Sequence, residues 1–150
     1  MTYGLLFWGN SPDSIKIFRL QKKIIRIVAG CRYRDSCRKL FISLEILLFP
    51  SQYILSLLMF MIRNRSQFFV NSGIHHINTR QHANFHQPSV NVAKYQKGVY
   101  YLGIKVFSVL LSDIKTDFNN LKWFYKNFYV KNPFISWMNI LPEEGFNYNL

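Results

Sequence analysis

The chain has 150 residues, which is the length of one ordinary domain or of a piece of a larger one. Apolar residues make up 49% of it and aromatic residues 17%, so general disorder is excluded. Nineteen Lys and Arg residues face seven scattered Asp and Glu residues, and the formal net charge is +12. Two-metal nucleotidyl transfer needs converging carboxylates, which are not assembled here. The sequence predicts a chain that is not a complete enzyme, and its charge favours a polyanionic partner.

The first predicted helix begins at Ser11 and runs to about Ala29. Ser at the N-cap, Pro12 at the first helical position and Asp13 in the first turn together form a helix start signal. Gly30 is placed to end the helix, because glycine readily adopts the left-handed conformation of a helix terminus.

This helix has two contrasting faces when its residues are spaced at about 100°. An apolar arc comprises Ile17, Leu20, Ile24, Ile27 and Val28, and a basic arc on the other side comprises Lys16, Arg19, Lys22, Lys23 and Arg26. Two further apolar residues, Phe18 and Ile25, widen the predicted buried flank, and Ile15 breaks the pattern. We expect the apolar arc to pack into the protein core and the basic arc to face phosphate groups.

The positive charge continues beyond the helix, so that residues 16–39 hold nine bases and one acid. The predicted nucleic-acid-binding residues are therefore Lys16, Arg19, Lys22, Lys23, Arg26, Arg32, Arg34, Arg38 and Lys39. Two alternatives stay open for this segment: an ordinary solvated surface, and a helix lying on an anionic membrane surface.

Two further helices are predicted in the first half of the chain. One spans about residues 35–47, capped by Asp35 or Ser36, with Cys37 as a reduced thiol on its buried side. The next begins at Pro50, continues to about Phe68 and is apolar on most sides, which predicts burial between other elements. A membrane span is disfavoured, because the apolar stretch is shorter than the roughly 20 residues that a bilayer needs.

The second half begins with a polar segment that lacks periodicity, from about residue 71 to 91, and we predict a long loop. It contains all four histidines, His75, His76, His82 and His86, which lack the paired spacing of a zinc site. Neither a metal nor another cofactor is expected.

Helical periodicity resumes at Gly98, with an apolar stripe made of Val99, Leu102, Val106, Val109 and Leu110. A short strand through 99–101 is the alternative for the start of this segment, because Val and Tyr favour strands. A last helix is predicted from about Asn119 to Val130. The expected fold class is mainly α.

Seven segments occur in an order that resembles a known family: YGLLFWGN, LQKKIIRIVAG, RDSCRKLF, LEIL, INTR, YQKGVYYLGIKVFSVLLSDIK and NPFISWMNIL. Over residues 3–141 the chain resembles the C-terminal region of reverse transcriptases from insect non-LTR retrotransposons of the jockey type. The resemblance implies a thumb and the segment that follows it, without the palm that carries the catalytic carboxylates.

The resemblance also implies an organisation of the chain. Residues 1–69 would form a small, thumb-like basic helical bundle, residues 70–97 a polar loop and residues 98–150 a C-terminal helical segment, incomplete without the upstream palm. The expected partner is an RNA/DNA hybrid or a single strand, held by its phosphate backbone without sequence preference. No small-molecule substrate is expected.

Two segments depart from the pattern of that family. FNSLP is replaced by FSVLL, with Ser108 in place of Asn and Leu111 in place of Pro, and FYSVDEFL is replaced by FISWMNIL. The chain also starts at a methionine inside a domain that should extend upstream. The alternative expectation is therefore a truncated retroelement remnant with an unstable product.

Overall fold

The computed structural model describes residues 4–75 and 84–114, and this part of the chain is mainly helical, as predicted. The helices are α1 (Leu5–Trp8), α2 (Ser14–Val28), α3 (Arg38–Ser43), α4 (Phe49–Arg63), α5 (Asn71–His75), α6 (Ala93–Gln96) and α7 (Val99–Ile114). Helix α4 lies at the centre and packs against α1, α2 and α7. The helix predicted from about residue 119 lies outside the described residues.

Helix α2 begins two residues later than predicted, with Asp13 rather than Ser11 as its N-cap, and it ends where expected. Pro12 lies in the preceding turn, and the N-cap residue Asp13 makes no side-chain capping hydrogen bond. Its carboxylate instead forms an ion pair with Lys16 at 2.8 Å. At the other end Gly30 has φ +64°, and the Cys31 N–H donates to the carbonyl of Arg26 at 2.9 Å. This Schellman arrangement confirms that Gly30 terminates the helix.

Helix α3 is shorter than predicted, because the chain turns sharply after Ser43. Glu45 takes a left-handed conformation with φ +51°, and the Ile46 N–H donates to the Phe41 carbonyl at 3.0 Å. Glutamate thus occupies a position that glycine usually holds, which the sequence did not indicate. Cys37 is buried and unbridged, which confirms its predicted placement on the packed side.

Helix α4 is buried on most of its circumference, as predicted, and its closest neighbour is α7. The two helices meet at Gly103, where an added Cβ would lie 2.7 Å from the Sδ atom of the fully buried Met61. The missing side chain at Gly103 therefore permits the close approach. Among the described residues, no helix combines the length and apolar character that a bilayer crossing requires.

Helix α7 begins at Val99, so the predicted helix is confirmed over the alternative strand. Its aromatic residues join a cluster in which Phe68 stacks on Tyr100 at 4.8 Å and Phe85 contacts Phe107 at 4.7 Å between ring centroids. The segment predicted as a polar loop thus supplies Phe85 to the core, and it also contains the short helices α5 and α6.

The face of α2 that packs against the protein differs from the predicted one. Phe18 and Ile25 are buried, whereas four residues of the predicted apolar arc are 56–69% exposed: Leu20, Ile24, Ile27 and Val28. Of that arc, only Ile17 packs against the core. Burial of the flank residues Phe18 and Ile25 is confirmed, whereas the centre of the predicted buried face was wrong by roughly a quarter turn of the helix.

A polar residue on the packed face explains this orientation. The Gln21 Nε2 group donates to the Leu47 carbonyl at 2.8 Å, and its Oε1 atom accepts the Phe49 N–H at 2.9 Å. Phe49 is the first residue of α4, so its N–H has no partner within the helix. Because Leu47 and Phe49 are buried, Gln21 must face them, and the row from Leu20 to Val28 turns outward.

We expect Gln21→Leu to lower the free energy of unfolding by about 2–4 kcal/mol, because it leaves two buried backbone groups without partners. Chemical denaturation of the full chain measures this change. Gln67→Leu at an exposed position is the matched control and should alter stability by less than about 0.5 kcal/mol. Equal effects of the two variants would contradict the role of Gln21, and a non-cooperative wild-type transition would favour the unstable-remnant alternative.

Candidate nucleic-acid interface

A basic cleft lies between the C-terminal half of α2 and the segment 34–38. Its cavity has a volume of about 130 Å³. Four cationic side chains line it, Lys22 and Arg26 from α2 and Arg34 and Arg38 from the following segment, together with one acidic residue, Asp35. The cleft therefore has an excess of positive charge.

Arg26 is held in place by the segment that follows α2. Its Nε group donates to the Asp35 carbonyl at 2.9 Å, and its guanidinium carbon lies 5.8 Å from the ring centroid of Tyr33. The Asp35 carboxylate accepts the backbone N–H of Arg32 at 2.8 Å, which closes a turn. Asp35, the one acidic residue within the basic segment 16–39, therefore shapes the wall of the cleft.

Lys22 lies at the edge of the packed face of α2, and its Nζ atom is 4.8 Å from the ring centroid of Phe18. Partial burial lowers the pKa of Lys22, and the nearby charges of Arg26 and Arg19 lower it further, although Cys37 acts in the opposite direction. The ammonium group is thus partly removed from water and close to other cations. An anion in the cleft would stabilise its charged form.

The other five predicted binding residues lie outside this cleft. On α2, Lys16, Arg19 and Lys23 are exposed, and Arg32 and Lys39 are exposed in the following segment. A hydrogen bond and an ion pair with Asp13 raise the pKa of Lys16, so its charge is partly compensated. The structure therefore gathers four of the nine residues into one recess and distributes the rest around it.

Sequence reasoning missed the residues that shape the recess. Phe18 and Phe41 form part of its lining, and Tyr33 orients Arg26. One signal was present in the sequence: a glycine that ends a helix reverses the chain, so residues just after Gly30 return alongside the last turns of α2. The sequence predicts Phe18 at the flank of the packed face, but it does not indicate that Phe18 lies beneath Lys22.

A second, more polar cleft is lined by the segment 84–87. Asn71, His86 and Ser108 are among the residues that line it. Within the described ranges no group of three or more His, Cys, Asp or Glu side chains is arranged to hold a metal ion. His76 and His82 lie outside those ranges.

In comparisons with known proteins, no family model matches this chain, and no curated protein or solved structure is significantly similar to it. The geometry and charge of the cleft therefore carry the functional interpretation, together with the order of motifs in the sequence.

We expect Lys22→Met to weaken binding of a single-stranded oligonucleotide by about tenfold without lowering the thermal midpoint. The substitution keeps an unbranched side chain of similar length, and it removes a charge that is disfavoured by burial and by neighbouring cations. Fluorescence anisotropy and thermal unfolding measure the two quantities. Lys23→Met, on the exposed side of α2, should change affinity by less than about threefold. Unchanged affinity of the Lys22 variant would exclude the cleft from the interface.

Proposed function

We propose that this chain is the non-catalytic, thumb-like part of a jockey-type reverse transcriptase, and that it holds the phosphate backbone of nucleic acid. The partner is an RNA/DNA hybrid or a single strand. The observation that carries the proposal is the convergence of Lys22, Arg26, Arg34 and Arg38 on one recess, beside the exposed cations of α2. The order of the sequence motifs supports the assignment to that family.

The chemistry of these side chains favours binding without sequence preference. Lys and Arg neutralise phosphates and release condensed counterions, which provides affinity but carries no base information. Arginine adds bidentate hydrogen bonds to phosphate oxygens. The interface accordingly positions a strand, whereas catalysis would require groups on another part of a polymerase.

A salt titration tests this proposal. For a 20-nucleotide single strand, the slope of log affinity against log salt should be roughly −3 to −5. The variant Arg19→Gln/Lys23→Gln/Arg34→Gln/Lys39→Gln should flatten this slope by about 2–3 if all four cations contact phosphates. All four side chains are exposed, so the fold should be preserved.

The control removes four cations elsewhere on the molecule: Arg63, Lys94, Lys97 and Lys105 are replaced by Gln. Both variants lower the formal net charge from +12 to +8, so any effect of total charge is the same. Only the first variant should lose affinity and slope. Equal losses would show that the total charge, rather than this surface, attracts nucleic acid.

The exposed apolar row on α2 favours a second candidate function, attachment to an anionic membrane surface. Leu20, Ile24 and Ile27 face solvent next to the exposed cations Lys16 and Lys23. A helix that lies in a membrane interface combines apolar and basic surfaces in this way.

Flotation with vesicles containing phosphatidylserine tests this candidate. Leu20→Ser/Ile24→Ser/Ile27→Ser should abolish flotation, because it removes the apolar area that enters the lipid. The control Ile42→Ser/Phe69→Ser/Val92→Ser removes exposed apolar residues elsewhere and should leave flotation unchanged. Recovery of the wild-type chain away from the vesicles at low salt would reject the candidate.

A further inference from the structure

The basic cleft is a recess whose inner surface consists of buried residues. This shape affects which kind of phosphate group the cleft can bind. Phe18, Phe41 and Cys37 line its inner part and are all buried, whereas the cations Arg34 and Arg38 are exposed beside its opening. A backbone phosphate is attached to the chain on both sides, so it reaches the floor of such a recess less readily than a terminal phosphate does. A terminal phosphate is attached on one side only.

We propose that the cleft holds the 5′-terminal phosphate monoester of a nucleic-acid strand, a proposal that rests on the nucleic-acid binding proposed above. The bound group would be surrounded by Lys22, Arg26, Arg34 and Arg38.

The charge of the cleft suits a monoester better than a diester. Four cationic side chains line it against one carboxylate, and that carboxylate accepts the N–H of Arg32. A phosphate monoester carries a charge of about −1.5 to −2 near neutral pH and has three strongly accepting oxygens. A backbone diester carries one negative charge and has two such oxygens, so it would leave more of the cationic excess uncompensated.

The arginine on the α2 side is already oriented for this role. The Nε group of Arg26 is engaged by the Asp35 carbonyl and its guanidinium lies near Tyr33, so the two terminal nitrogens are the donors left for a ligand. Arginine in this position can donate two parallel hydrogen bonds to phosphate oxygens. Because the side chain is held before the ligand arrives, little of its conformational entropy remains to be lost on binding.

Lys22 provides a cation at the inner edge of the recess. Its ammonium group lies over the Phe18 ring and is partly removed from water. Charge-assisted hydrogen bonds are stronger in a partly desolvated position than on the open surface. A dianionic ligand would therefore gain more from Lys22 than from the exposed Lys23 on the same helix.

The test compares two fluorescent 12-nucleotide single strands of identical sequence, one with a 5′-phosphate and one with a 5′-hydroxyl. We expect the full chain to bind the phosphorylated strand about tenfold more tightly at physiological salt. A third arm titrates inorganic phosphate against chloride at constant ionic strength. Inorganic phosphate should lower the affinity for the phosphorylated strand to that for the hydroxyl strand. It should leave the affinity for the hydroxyl strand unchanged.

Two cleft variants and one control locate the effect. Arg34→Gln and Arg34→Gln/Arg38→Gln should reduce the preference for the 5′-phosphate progressively, and Lys94→Gln/Lys97→Gln, which removes two exposed cations far from the cleft in sequence and outside its lining, should retain it. The single Arg34 variant tests the proposal even if the double variant is unstable, and the thermal midpoint of each variant reports on its fold.

The outcomes separate this inference from the proposed function. Equal, salt-dependent affinity for both strands would overturn the terminal-phosphate site and leave backbone binding intact. Binding of inorganic phosphate without any preference between the strands would also overturn it, because the recess would then serve a free anion. Absence of binding to either strand would overturn both proposals.

Discussion

The side chain of Gln21 fixes the orientation of α2 against the start of α4. It donates to the carbonyl that precedes α4 and accepts the first N–H of α4, at 2.8 Å and 2.9 Å. Both backbone groups are buried, so turning α2 about its axis would leave them without partners. Apolar packing alone would tolerate several orientations of α2, because the helix carries more than one apolar face. A directional pair of hydrogen bonds selects one of them.

The basic cleft depends on this orientation of α2. With Gln21 directed at α4, Phe18 becomes a core residue, and Lys22 lies at the boundary between the core and solvent. Gly30 then reverses the chain at the end of α2, so the next residues return along the same side. Asp35 and Tyr33 can therefore engage Arg26. The charge, the floor and the wall of the recess all depend on the orientation of one helix.

The existence of the longer helices could be predicted from the sequence, because it depends on local signals such as Gly30 and on helical periodicity. The rotation of α2 could not, since Leu20 and Ile24 lie at the centre of the apolar stripe, whereas Phe18 and Ile25 lie at its flank. Helical periodicity indicates where the apolar residues lie. The orientation of α2 depends instead on Gln21, a polar residue whose hydrogen-bond partners lie 26 and 28 positions away. For the same reason the nine basic residues looked like one continuous surface, although four of them share a recess.

The contact between Met61 and Gly103 has a consequence for oxidative damage. The sulfur of Met61 is sealed beneath α7, at a point where even a methyl group would collide with it. Peroxide therefore reaches this thioether when the two helices separate, and the oxygen of a sulfoxide has no space when they close again. A brief opening in the presence of an oxidant would become a lasting defect. The long-term integrity of the folded chain is consequently linked to how often its central helix pair opens.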